Sequence, residues 1–286
     1  MTRRAAVRRR ANAKINVFLR VLRAREDGYH DIESLVVPVS LADRITARSA
    51  DELRVTMKGV DDLARMIPAG GLNLALVAAL ALADECEHAG GAEVEIEKRI
   101  PVAAGLGGGS TDAAATLGAL NELWGCRLDM EALADIAARV GSDVPAMLAG
   151  GPVLVHGRGD VIDPVTVDRL WWVLRSFDFG VRSPDAYRWW DEDRAPSGPD
   201  PAPLLVSATK GDPETLGPLL FNDLERPVFA RHPDLTEAKA ALLQAGALGA
   251  VMSGSGSSVV GLARDEAHAR SLAKRWASAR VIAGPP

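Results

Sequence analysis

Residues 101–117 read PVAAGLGGGSTDAAATL. Gly105, Gly107, Gly108 and Gly109 fall within five positions, and an alanine-rich segment with helical spacing follows at once. A strand-to-helix turn without a ligand needs only one or two glycines. Four of them remove the Cβ atoms just ahead of a helix N-terminus, where unpaired N–H groups and the positive end of the peptide dipoles lie. Glycine also reaches the left-handed dihedrals that turn successive amides toward one point. Ser110 and Thr111 then offer hydroxyls at the expected helix cap. The pattern is that of a cradle for a phosphate chain. It is not a Walker loop, because no Gly-Lys-Ser/Thr closes it. It also lacks the third glycine of the dinucleotide fingerprint.

The rest of the chain must supply a core for this loop. It has 286 residues, 48% of them apolar, enough for one large or two ordinary domains. Residues 12–22, NAKINVFLRVL, alternate as a strand, with Ala13, Ile15, Val17, Leu19 and Val21 on the apolar face and Lys14 and Asn16 on the other. A turn on Asp27-Gly28 follows, then one or two strands over 32–49, where Pro38 imposes an edge or a bend. Helices are expected near 72–88, at 111–124 and at 130–140, with strands at 52–59, 91–101 and 152–156 around them. Beyond residue 165 the pattern gives a strand at 168–181 and a helix after Ser183-Pro184. Later come a helix at 234–246, a strand–loop–strand unit over 247–264, a helix at 265–278 and a last strand at 280–284. The expected architecture is α+β in two lobes, 1–165 and 166–286.

Composition excludes several classes. A net charge of −5 argues against a nucleic-acid binder. The start, MTRRAAVRRR, carries five arginines and reads as a solvated, disordered leader; it lacks the apolar core of a secretory signal. No apolar run is long enough to span a membrane. Cys86 and Cys126 show no metal-type spacing and read as small buried thiols of a reducing cytoplasm. The five histidines, His30, His88, His156, His232 and His268, form no ligand pattern.

Three further stretches carry possible chemistry. Asp143, in RVGSDVPAM, is either a helix-capping carboxylate or a general base for a hydroxyl that attacks phosphorus. Lys14 is one of only six lysines against twenty-seven arginines. It is either a solvated surface lysine or a cation that offsets charge on a transferred phosphoryl group. MSGSGSSVV, 252–260, is a hairpin turn or a second main-chain surface against the same region.

Together these stretches resemble the GHMP kinase superfamily. The residues that carry the likeness are AKINVFL (13–19), DGYHDIESL (27–35), PVAAGLGGGSTDAAATL (101–117), GSDVPAML (141–148), HGRGD (156–160), NDLERPV (222–228) and GAVMSGSGSS (249–258), in family order. The resemblance implies a lobe like domain 2 of ribosomal protein S5, then a ferredoxin-like lobe. It implies ATP with magnesium, the phosphates lying over Pro101, Ala104, Gly105, Leu106, Gly107, Gly108, Gly109, Ser110 and Thr111. Lys14 and Asp143 match the catalytic pair; the sequence singles out no metal ligands. The combination of Ala-Lys-Ile-Asn with Asp-Gly-Tyr-His points to the branch that phosphorylates a cytidine diphosphate sugar alcohol. There Asn16, Tyr29, His30, Tyr187 and Asp143 would meet the substrate. The implied protein is cytoplasmic, a monomer or homodimer, with no nucleic-acid or membrane partner. Kinases of the homoserine or mevalonate type, or an inactive nucleotide-binding protein on the same fold, are the alternatives. Ser257-Ser258 departs from the family's usual Pro-Thr, and HGRGD from its usual Gly-Thr-Gly-Arg-Gly.

Overall fold

A computed structural model describes residues 6–59, 73–87, 89–193 and 196–286. The chain divides into two compact units. The first comprises Met1–Ala13, Leu41–Val102 and Gly107–Gly150; the second comprises Lys14–Ser40, Ala103–Leu106 and Gly151–Pro286. Two long strands, β1 (Ala6–Ala24) and β2 (His30–Ser49), contribute residues to both.

In the first unit, β4 (Ala92–Glu97) pairs antiparallel with Arg44–Ser49 of β2 and parallel with β3 (Arg54–Lys58). Four helices accompany these strands: α1 (Leu74–Glu85), α2 (Gly108–Trp124), α3 (Met130–Val140) and α4 (Val144–Leu148). Asn73 caps α1 and Asp129 caps α3, each side chain accepting from a first-turn amide. The core joins Ile45, Val94 and Ile96 of the strands to Ala78, Leu82, Ala113, Leu117 and Ile136 of the helices. Alanines at the contact of α1 and α2 let the helix backbones approach closely.

Two expectations fail in this unit. Residues 6–10 of the basic leader are not a disordered arm: they open β1, and Val7 and Ala11 are buried in the core while Arg8, Arg9 and Arg10 stay exposed. Arg8, Arg9 and Arg10 follow Val7 directly, and that one buried valine anchors the segment. Residues 1–5 lie outside the described residues, as do Leu72 and His88 at the margins of the helix expected near 72–88. The cysteines are not free thiols: Cys86 and Cys126 form a disulfide, their Cα atoms 5.4 Å apart. Each follows the C-terminus of one helix of the packed α1–α2 pair, a proximity that their separation of 40 residues does not announce.

In the second unit, Ser34–Val36 of β2 pair with β5 (Val153–His156), which pairs with β6 (Val161–Pro164). Phe18 and Leu19 of β1 pair parallel with β8 (Phe221–Asn222). Pro38 falls between the stretch of β2 bound to β5 and the stretch bound to β4, so its missing N–H interrupts neither ladder. A separate sheet runs β11 (Arg280–Gly284), β7 (Leu170–Arg175), β10 (Val259–Ala263), β9 (Gly249–Met252), with all neighbours antiparallel. Its helices include α9 (Pro233–Gln244), before β9, and α10 (Glu266–Ala273), before β11. This order is the split βαβ arrangement of the ferredoxin-like class. The unit also contains α5 (Ser183–Asp193), α6 (Ala202–Thr209), α7 (Pro213–Leu216) and α8 (Glu225–Arg231). Short α6, α7, α8 and β8 were not legible as periodic segments.

Candidate active site

The glycine stretch is divided between the units. In the first, α2 starts at Gly108, three residues earlier than the sequence suggests. Its N-cap is Gly107, at φ +69°, and no side chain caps it. Ser110 and Thr111 are therefore inside the helix instead of at its cap. Gly109 is exposed and Ser110 half-buried, but Thr111 is buried at 4% exposure. The first-turn amides lack the usual side-chain acceptor, which leaves them suited to an anion.

Beside this helix start lies a buried charge cluster that the sequence did not reveal. Lys98 Nζ donates to Asp43 Oδ2 at 2.5 Å and to Asp112 Oδ2 at 2.7 Å. Asp112 Oδ1 is buried without a hydrogen-bond partner. Burial pushes the Asp112 carboxyl up to about 7, with Lys98 opposing and Asp43 assisting the rise. Burial pulls Lys98 down, yet its two carboxylates outweigh this and hold the ammonium above its ordinary value.

Asp143 sits at the N-cap position of α4, exposed, with no side-chain hydrogen bond to the helix. Its side chain is thus not engaged in capping, and the main-chain carbonyl alone accepts from Met147 N.

In the second unit, Lys14 and Asn16 are buried at 5% and 4% exposure, which removes the reading of Lys14 as a surface lysine. Lys14 Nζ donates to Asn16 Oδ1 at 2.6 Å, and Asn16 Nδ2 donates to Ser34 Oγ at 2.8 Å. Ser34 Oγ in turn donates to Phe18 O at 2.5 Å. Lys14 N–H holds Leu106 O at 3.0 Å, so β1 directly supports the glycine loop. Ala104 and Leu106 are buried, and Ala103 adopts φ +53° without being glycine.

The 252–258 loop joins β9 to β10 and also braces this region. Ser253 Oγ donates to Gly105 O at 2.9 Å, and Ser258 N–H to Ala104 O at 3.1 Å. A Cβ on Gly254 would lie 3.1 Å from Lys14 Nζ. The loop is itself held by Asn222, whose Nδ2 donates to Met252 O and Gly254 O at 2.8 Å each. Glu225 accepts from Met252 N–H and from Lys239 Nζ. Ser257 donates to Phe179 O, while Ser258 Oγ is buried without a partner. At the departure from the family pattern, the loop is thus anchored through the Ser258 main chain.

At the other end of β2, Tyr29 is 49% exposed, with the Arg158 guanidinium 5.3 Å from its ring centre. His30 is buried, stacked on Tyr187 at 4.9 Å, and meets the Trp190 ring edge-on at 5.8 Å. His30 Nε2 pairs with Asp191 Oδ1 at 2.9 Å; since a carboxylate only accepts, that nitrogen carries the proton. The structure thus brings His30 and Tyr187 together and adds Arg158, Trp190 and Asp191 to the sequence candidates. Arg158 comes from the HGRGD turn, the one sequence signal that pointed to it.

Residues 73–151 match the GHMP kinases N terminal domain and residues 204–282 the GHMP kinases C terminal domain. A 4-diphosphocytidyl-2-C-methyl-D-erythritol kinase of Symbiobacterium thermophilum is 43% identical over 257 residues, covering 89% of each chain. The crystal structure of a 4-(cytidine 5'-diphospho)-2C-methyl-D-erythritol kinase superposes with a TM-score of 0.81 at 35% identity, covering 98% of this chain and 100% of that one.

The chain belongs to the 4-diphosphocytidyl-2-C-methyl-D-erythritol kinase family of the GHMP kinases.

Its α+β fold is that of the GHMP kinases. A homoserine kinase of Cytophaga hutchinsonii shares this fold, with a TM-score of 0.72 over 99% of this chain and 96% of that one, but only 18% of its sequence. The identity therefore separates the diphosphocytidyl branch from the homoserine alternative, which the fold alone does not. For a member of this family, the donors at the start of α2 are amides and one hydroxyl, a set that suits phosphate oxygens. Among the described residues, no group of three His, Cys, Asp or Glu side chains is placed to hold a metal ion. Magnesium commonly keeps waters and shares its shell with substrate phosphates, so a nucleotide-borne ion is compatible with these donors.

Proposed function

We propose that this chain transfers the γ-phosphoryl group of ATP to the 2-hydroxyl of 4-diphosphocytidyl-2-C-methyl-D-erythritol, giving the 2-phosphate and ADP, in the methylerythritol phosphate route to isoprenoid precursors. The observation that carries this reading is identity of 35–43% across nearly the whole chain to kinases named for that substrate.

The glycine loop, from Pro101 to Thr111, receives the triphosphate: main-chain amides around Gly105–Ser110 meet its oxygens. Magnesium, when bound with the nucleotide, neutralises phosphate charge. Asp143 accepts the proton of the 2-hydroxyl as its oxygen forms a bond to phosphorus and the bond to ADP breaks. An exposed carboxylate not committed to its own helix suits that task. Lys14, oriented by Asn16, offsets charge as it develops on the transferred group. Tyr29, His30 and Tyr187 receive the cytosine, with aromatic faces suited to a pyrimidine ring. The residue ranges 1–165 and 166–286 are proposed as the two domains, and each contains one of the matched family segments.

The enzyme works in the cytoplasm, where its nucleotide is, as a monomer or homodimer. No described helix is long and apolar enough to cross a membrane. A disulfide is uncommon in a reducing compartment, so the state of Cys86 and Cys126 is checked by alkylation and intact mass in cell extracts.

The deciding experiment compares ADP release with three acceptors. Turnover with the diphosphocytidyl sugar alcohol must exceed that with homoserine or mevalonate; better turnover with either of those overturns the assignment.

A further inference from the structure

The glycine loop leaves the first unit after Val102 and re-enters it at Gly107. Both flanks of this excursion are fastened to one carboxylate. Asp43 is fully buried on β2. Its Oδ1 accepts from the amides of Arg99 at 2.5 Å and Ile100 at 2.8 Å, just before the loop. Its Oδ2 accepts from Lys98 Nζ, which also donates to Asp112 in α2, just after the loop. Gly108 packs beside the cluster: a Cβ there would lie 3.2 Å from Ile100 Cγ2, a tight approach, and in ordinary contact with Lys98 Nζ at 3.4 Å.

We propose that Asp43 is a positioning residue for nucleotide binding, closing the two ends of the phosphate loop through Lys98 and Asp112 before any nucleotide arrives. The inference rests on the reading of 101–111 as the phosphate site. Stability alone does not explain such a cluster. Buried ion pairs are often replaceable by apolar residues without loss, and this one sets two carboxylates against one ammonium. What it achieves is local. A segment with several glycines loses much conformational freedom when ordered. Fixing its ends in the folded chain removes part of that cost from the binding step.

The test uses the full chain and a non-hydrolysable ATP analogue in calorimetry, together with KM values for ATP and for the alcohol. Asp43→Ala and Asp112→Ala are expected to weaken analogue binding about tenfold or more, while the alcohol KM stays within about twofold. Asp112→Asn keeps an acceptor for Lys98 and is expected to restore most of the affinity. Analogue affinity in Asp112→Ala within about twofold of the parent, or a parallel rise in both KM values, overturns the proposal. Should the alanine variants not fold, hydrogen exchange on the unaltered, nucleotide-free chain decides. Slowed exchange at the amides of 107–111 supports the clasp, and exchange at unstructured rates overturns it. An unaltered chain that binds no analogue at all instead refutes the phosphate-site reading, a result distinct from any variant effect.

Discussion

A Cβ on Gly105 would lie 1.9 Å from the carbonyl oxygen of Ser253, and Ser253 Oγ donates back to Gly105 O at 2.9 Å. Gly105 also has φ +76°. Gly105→Ala therefore meets a steric clash and a left-handed backbone at once. It is expected to destabilise the chain by roughly 2–4 kcal/mol, summing left-handed strain and overpacking. Denaturant unfolding reads this, and a midpoint unchanged from the parent refutes the close approach.

Lys14 donates to Asn16 in a buried setting. Lys14→Met keeps the stem and removes the charge. We expect kcat to fall by about 10²–10³, the range for loss of one preorganised electrostatic donor. KM for the alcohol should change little, and a loss confined to KM would place Lys14 in binding.

Asp143 makes no cap bond, so Asp143→Asn has no helix-capping contact to lose. The expected result is an unchanged melting temperature with kcat reduced by about 10²–10⁴, as for a lost general base. A large fall in melting temperature with near-normal turnover would restore the structural reading.

Tyr29 is exposed, whereas Tyr187 is packed against His30. Tyr29→Ala should raise KM for the cytidine substrate roughly tenfold, the loss of about one aromatic contact, with ATP KM unchanged. Initial-rate measurements with each substrate varied separately distinguish the two.

Asp112 faces Lys98 and Asp43, and its carboxyl is raised from 3.8 to about 7, first by burial. Between those values the folded chain binds the proton that the unfolded chain has released. Stability from this group is thus fully present below about pH 4 and declines as pH rises toward 7. Relative to Asp112→Asn, the parent should lose on the order of a few kcal/mol across that window. Urea melts at several pH values check this, and parallel profiles for the two proteins would sink it.

Much of the site is readable because its rules are local. The alternation of residues 12–22 places Lys14 and Asn16 on one face, and the glycines ahead of α2 need φ values that other residues resist. Those are properties of neighbouring residues, so the strand, the helix and the glycine turn between β4 and α2 follow from order alone. Local rules also misled. Ser110 and Thr111 have the chemistry of caps, but left-handed Gly107 starts the helix earlier. The arginines of residues 8–10 suggested a solvated arm, yet Val7 is drawn into the core.

Order along the chain alone determined that this protein carries a glycine-rich turn ahead of a helix, the segment proposed above as an anion cradle, and which residues flank it. Tertiary structure decided that Lys14 is buried, that Asn222 and Glu225 brace the 252–258 loop, that Cys86 meets Cys126, and that Asp43 reaches Lys98 across 55 positions. A single buried partner leaves no periodic trace in the sequence. It acquires its meaning only when folding removes water and leaves one group able to satisfy the other.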